Sequence, residues 1–303
     1  MSRPPPPERL ETRSAEIGGG LTIRRALPNR QRRTVGAWCF LDHAGPVEFA
    51  ADGGMHVGPH PHIGLQTFTW LIEGEVVHRD SLGNEQLITP GQVNLMTAGA
   101  GIAHAEDSSP GRAGRLHAAQ LWIALPEGER RRPAAFRNHP HLPLVESGGF
   151  SVRVLAGSAL GQRSPAQVYS PLVGLDLSAG GPAALSLPLE TSFEHAALTL
   201  TGAVTVAGVA LAPGTLLYFG PGRGELALKC ESTARLLLIG GTPFGEEILV
   251  WWNFVARTRE EIVAATRDWH AGRFGVVHGS PAPALVAPDV AGLNLRATPP
   301  GVT

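Results

Sequence analysis

The sequence has little cysteine. Cys39 and Cys230 are the only two in 303 residues. Their separation rules out a disulfide framework or a thiolate metal motif and predicts reduced, partly buried thiols. It also lacks an excess of either charge, with a formal net charge of -1. Nothing therefore marks a footprint for nucleic acid or an anionic membrane. Long apolar runs are missing too. No stretch approaches the roughly 18 residues that span a bilayer, and the start, Met1-Ser2-Arg3 followed by four prolines, has no signal-peptide core. The expected compartment is the cytoplasm. Aromatics are scarce at 6%, whereas 38 glycines and 26 prolines punctuate the chain as they do where short strands meet tight turns. An all-β body is predicted.

Strand-like segments run through Thr67–Ile72, Val76–Asp80, Glu85–Ile88 and Gln92–Met96, with turns at Ser81-Leu82-Gly83-Asn84 and Thr89-Pro90-Gly91. A second block repeats this grammar at Ser151–Leu155, Ala197–Leu200, Val204–Val206, Thr215–Phe219 and Ala234–Ile239. Pro90-Gly91 aligns with Pro213-Gly214 and Gly74 with Gly202, which predicts two similar barrels in tandem. The division expected is a flexible Pro-rich tail (1–16), an N-terminal metal-binding barrel (17–137), a linker (138–149) and a degenerate, metal-free second barrel (150–256). An amphipathic helix (257–274), with Thr258 as N-cap and Gly272 as stop, and an extended tail (275–303) follow.

Chemistry concentrates in two short clusters, His60-Pro61-His62 and His104-Ala105-Glu106. On β-strands the period of two points both members of each pair to one face. Pro61, which lacks an N–H, marks an edge or bulge, and Ala98-Gly99-Ala100-Gly101 lets the chain turn tightly before the second cluster. Three imidazoles and a carboxylate suit Fe(II), Mn(II), Co(II), Ni(II) or Cu(II) and leave two octahedral positions open. A structural zinc site would more typically be closed and thiolate-rich. His139-Pro140-His141 copies the first cluster but sits in a polar, Pro-rich stretch, and is not expected to bind metal. The repeat alignment sets Pro188 and Glu190 opposite His60 and His62, and Ala227 and Lys229 opposite His104 and Glu106, so the second barrel is read as metal-free. His56, His78 and His117 are lesser candidates, expected to be structural or surface residues. Arg130-Arg131-Arg132 is expected to be a solvated linker face.

His60-Pro61-His62-Ile63-Gly64, His78-Arg79-Asp80-Ser81-Leu82-Gly83, Asn94-Leu95-Met96-Thr97-Ala98-Gly99-Ala100-Gly101-Ile102, His104-Ala105-Glu106, Gln120–Pro126 and Trp251-Trp252-Asn253-Phe254 together resemble the pirin family of bicupins, over about Ile17 to Phe274. The resemblance implies two facing cupin (jelly-roll) barrels and one iron held by His60, His62, His104 and Glu106, with Mn, Co, Ni, Cu or Zn as alternatives. It further implies either of two functions. One is a dioxygenase resembling quercetin 2,3-dioxygenase, acting with dioxygen on a small flavonol-like aromatic, with Glu106 doubling as the base. The other is a non-enzymatic, iron- and redox-responsive regulator that binds a protein partner. Direct contact with nucleic acid or membrane is not expected. Gln66, where many relatives carry glutamate, is expected to orient a ligand or bound water, and Ile63 to make the rim apolar.

Overall fold

Burial alternates residue by residue along much of the chain, as in Ala183–Pro188 and Glu225–Cys230, where every second side chain is covered. This is the signature of strands with one face on a core. The computed structural model describes residues 6–18, 20–51, 53–108 and 113–297. Strands dominate it, and the one α-helix among the described residues is Arg259–His270. Two barrels of jelly-roll type result, each made of a seven-stranded and a four-stranded antiparallel sheet.

In the first barrel the four-stranded sheet runs in the order His56–His62, Ile102–Ser108, Val76–Asp80, Glu85–Ile88. The segment with Pro61 is thus an edge strand, where a missing N–H costs no ladder bond. The matching sheet of the second barrel runs Ala183–Pro188, Glu225–Cys230, Val204–Val206, Val209–Leu211. The seven-stranded sheets pack against each other through one apolar core. Trp38, Phe68, Trp70 and Leu121 of the first half meet Leu198, Leu216, Leu237 and Ile239 of the second.

Two expected boundaries need correction. Residues 1–16 are not a free tail: Glu8–Glu11 pairs with Thr215–Phe219 at the edge of the second large sheet, and Arg13–Ile17 pairs with Leu21–Leu27 in the first. Residues 1–5 lie outside the described residues. The expected linker 138–149 begins inside the strand Ala135–His139, which pairs with Val93–Thr97, and includes Leu144–Ser147, paired with Phe150–Ala156. The reason is the same in both cases. An open edge beside a core leaves N–H and C=O groups unpaired, and these segments satisfy them. Leu10, 1% exposed, fills the core as its strand docks.

The helix is shorter than expected, with Thr258 capping the Glu261 N–H and Gly272, at φ +68°, just beyond its end. Residues 275–297 follow without helix or strand but are anchored to the body. The Leu285 N–H donates to the Pro59 carbonyl at 2.8 Å, and Ala287 and Val290 are buried. Close approach explains Gly58, since a Cβ there would lie 2.0 Å from the Pro283 carbonyl oxygen. No helix among the described residues is long and apolar enough to cross a membrane, which says nothing of membrane β-barrels.

Candidate metal centre

The antiparallel ladder between His56–His62 and Ile102–Ser108 sets His60 directly opposite His104 and His62 opposite Ile102. A register shift between His104 and Glu106 then re-aims the carboxylate. All four expected donors are buried, none more than 7% exposed. Donor atoms of His60, His62 and His104 lie within 4.8 Å of one another, as do those of His78, His104 and Glu106. His78, a lesser candidate from sequence, therefore joins the cluster. Neither group includes His139, although it is in a strand after all.

Second partners orient the rings. His60 Nδ1 donates to the Gly58 carbonyl at 2.9 Å, and His62 Nδ1 to the Asn253 carbonyl at 2.9 Å. A neutral imidazole carries one proton, so both Nε2 atoms keep a lone pair. Burial lowers the His60 pKa to about 4 against the opposing pull of the Gly58 carbonyl. Burial and the neighbouring imidazoles hold His62 and His104 well below the ordinary histidine range. At neutral pH these rings are uncharged donors. Burial raises the Glu106 carboxyl above its usual range, with His78 and the Thr69 hydroxyl opposing the shift. Three neutral nitrogen donors and one buried carboxyl are chemically suited to a divalent transition metal.

These donors line a cavity of about 640 Å³. One wall is aromatic: Phe40 and Trp122 stack with centroids 4.0 Å apart and planes 13° from parallel, and Trp122 meets the His62 ring edge-on. Trp252 and Leu285, from segments beyond the second barrel, also line it.

Other expectations fare differently. Gln66 turns away from the cavity, onto the face shared with Phe68 and Trp70, and donates to Thr97 Oγ1 at 2.9 Å and to the Gln167 carbonyl at 3.1 Å. It orients no donor. Ile63 packs with Phe254, Trp252 and Phe274 rather than forming the cavity rim. His56 is paired with Asp107 and is one-third exposed. His117 meets His43 at 2.9 Å. Arg130 and Arg131 bind Glu261 of the helix, and Arg132 binds Glu129.

The repeat register is also corrected. Glu106 lies opposite His78, and its positional counterpart Leu228 lies opposite Val206. Leu226, opposite Leu187, answers to His104 opposite His60. Leu189, whose N–H donates to the Gly224 carbonyl, answers to His62. The second barrel thus has four leucines where the first has its donors. The one-residue slip moved the comparison from the inner face to the outer, where Lys229 is exposed and paired with Glu231. Both donor groups among the described residues are in the first barrel.

Sequence reasoning missed the Asn253 carbonyl, which is a backbone group without a side-chain signature. It also missed Phe136, stacked on His78 at 4.3 Å, because a lone aromatic beside the polar Arg137-Asn138-His139 carries no strand pattern.

Residues 20–123 match the family model described as Pirin, and residues 172–275 match the Pirin C-terminal cupin domain. A Pseudomonas aeruginosa protein provisionally named as a quercetin 2,3-dioxygenase is 52% identical over 285 residues, covering 93% of this chain and 90% of that protein. A pirin-like protein of Caulobacter vibrioides is 40% identical over 264 residues, covering 84% of this chain and 90% of its own. The crystal structure of an Acinetobacter baumannii quercetin 2,3-dioxygenase superimposes with a TM-score of 0.93 at 48% identity, covering 96% of this chain and 97% of that one.

Proposed function

The chain belongs to the pirin family, and from that premise we propose that it is a mononuclear non-haem iron dioxygenase acting on a flavonol-like aromatic. The observation that carries this reading is that His60, His62, His104 and Glu106 line one cavity beside a stacked aromatic pair, with His104 shared by the cluster of three histidines and the cluster that holds Glu106. In the proposal these four residues hold one divalent metal, Fe(II), and Mn, Co, Ni, Cu or Zn are alternatives that elemental analysis separates. Iron(II) held there would supply Lewis acidity and redox electrons for joining an oxygen-bearing substrate to dioxygen.

The remaining work falls to the chain. Trp122, backed by Phe40 stacked on it and by Arg25 over the Phe40 ring, gives the cavity a rigid aromatic wall against which a planar aromatic packs. Glu106, buried with the Thr69 hydroxyl 3.4 Å from its Oε1, takes the phenolic proton of the substrate. Leu285 and Trp252 add apolar surface to the cavity from outside the barrel. The two cysteines are unpaired and buried, in keeping with a reducing cytoplasm as the working compartment. The alternative, a redox-responsive regulator with a protein partner, becomes the reading to pursue if the enzyme test fails.

That test is oxygen consumption and ring-opened product with a flavonol panel, on iron-loaded wild type beside His60→Ala and Glu106→Ala. Turnover in the wild type alone is expected. Iron-loaded wild type that turns over no member of the panel would overturn the substrate assignment, and variants that keep full iron content would overturn the site.

A further inference from the structure

Behind His104 lies a carboxylate and an imidazole in series. The strand Val76–Asp80 flanks Ile102–Ser108 on the side away from His56–His62, with Asp80 opposite His104 and His78 opposite Glu106. Asp80 Oδ2 is 3.2 Å from His78 Nε2, and His78 Nδ1 is 3.3 Å from His104 Nδ1. All three residues are at most 2% exposed. Each outer member is also held independently. His78 is stacked flat on Phe136, with planes 9° apart. Asp80 Oδ1 accepts from the backbone N–H groups of Leu82 at 2.9 Å and Asn84 at 3.1 Å.

Hydrogen-bond valence then assigns the protons. An ionised carboxylate only accepts, so His78 Nε2 donates to it. With one ring proton spent on Asp80, a singly protonated His78 accepts at Nδ1 and His104 Nδ1 donates. His104 Nε2 is left with a lone pair, 3.0 Å from the Nε2 of His62, whose proton is committed to Asn253. Two acceptors at that distance repel each other, and a cation shared between them removes the repulsion.

We propose that Asp80 and His78 are positioning residues, a relay that locks His104 in the tautomer able to bind metal and so sets the affinity of the centre. The proposal rests on the metal-site reading above. It also separates the roles of two donors on one strand. His104 is anchored through two hydrogen bonds to a buried carboxylate, whereas the Thr69 hydroxyl lies closer to Gln120 Oε1, at 2.8 Å, than to Glu106. Glu106 thus has only a 3.4 Å contact with Thr69 where His104 has a chain of two bonds to Asp80.

Asp80→Asn tests the relay. The amide oxygen keeps the turn contacts with Leu82 and Asn84, while the amide N–H replaces the acceptor facing His78 and gives up the 2.9 Å contact of Oδ2 with Asn84 Nδ2. The His78 tautomer reverses, and His104 Nε2 becomes protonated. The full chain is titrated with Co(II) against a competing chelator, and the visible bands of the bound Co(II) are recorded. The expected result is binding about 10–100-fold weaker, the usual effect of removing an outer partner, with shifted bands. His78→Phe, which keeps the stack on Phe136 but removes the relay, should also bind more weakly. Melting of each metal-free variant identifies any loss of fold, which by itself leaves the bands of loaded protein unchanged. Wild-type affinity and bands in both variants overturn the relay. If His60→Ala, run in parallel, also keeps wild-type affinity, the metal site itself is wrong. If His60→Ala loses the metal while the relay variants do not, the relay alone falls.

Discussion

His62 Nδ1 donates to the carbonyl oxygen of Asn253 at 2.9 Å, across 191 residues of chain. A ring of the first barrel is therefore oriented by a hairpin that follows the second. That hairpin, Leu249–Trp251 and Phe254–Ala256, docks through the Val255 N–H on the Ile63 carbonyl at 3.1 Å.

Gly64 is the tightest point of that docking. It sits at φ +69°, and a Cβ there would lie 2.0 Å from the Val255 carbonyl oxygen. Gly64→Ala is expected to push the hairpin away, release His62 and reduce bound metal, besides losing at least the ~1–2 kcal/mol of a left-handed alanine. Gly91→Ala, at φ +84° but with nothing within 4 Å, should show only the backbone cost and keep its metal. Elemental analysis and denaturation of both variants check the contrast, and equal metal loss in the two would contradict it.

Context separates the two His-Pro-His tripeptides. His60→Ala should abolish stoichiometric metal binding, while His139→Ala should leave it unchanged, because His139 belongs to neither donor group. Calorimetric titration with Co(II) reads both.

Leu10 connects the start of the chain to the second barrel. Leu10→Ala should destabilise the protein by about 2–5 kcal/mol, the range for a buried leucine deletion, since the side chain is 1% exposed within the shared core. A free tail would show no change in the urea midpoint.

His43 and His117, on neighbouring strands of the first barrel, face each other at 2.9 Å. Burial lowers His43 to about 3 and His117 to about 4. Folded pKa values below the unfolded value of 6.5 mean that the unfolded chain binds more protons in between. The contribution of the pair is thus present above pH 6.5 and is lost progressively as pH falls toward 3. Replacing both by leucine should flatten the acid side of the stability profile measured by urea unfolding at successive pH values. An unchanged slope would show that the pair does not titrate with folding.

Much of the site was legible because its code is local. His60 with His62, and His104 with Glu106, are pairs at strand period, and adjacent positions alone place each pair on one face. The flanking Gly64, Gly74 and Pro90-Gly91 mark turns for the same local reason. Register between strands is not local. Pro188, Glu190, Ala227 and Lys229 were the wrong counterparts by one residue, and only the pairing of Leu226 with Leu187 and Leu228 with Val206 shows that the inner face of the second barrel carries leucines.

By itself, then, the sequence determined an all-β chain of two related halves with candidate donors in the first, since strand period, turn residues and the identity of side chains able to bind metal are written in neighbouring positions. Tertiary structure decided what surrounds that set. It turned Gln66 away, brought His78 and Asp80 behind His104, drew the Asn253 carbonyl to His62, and carried Leu10 into the far barrel. Each of these depends on which distant strands pair and which edges must be closed, and no periodicity in a single segment records that.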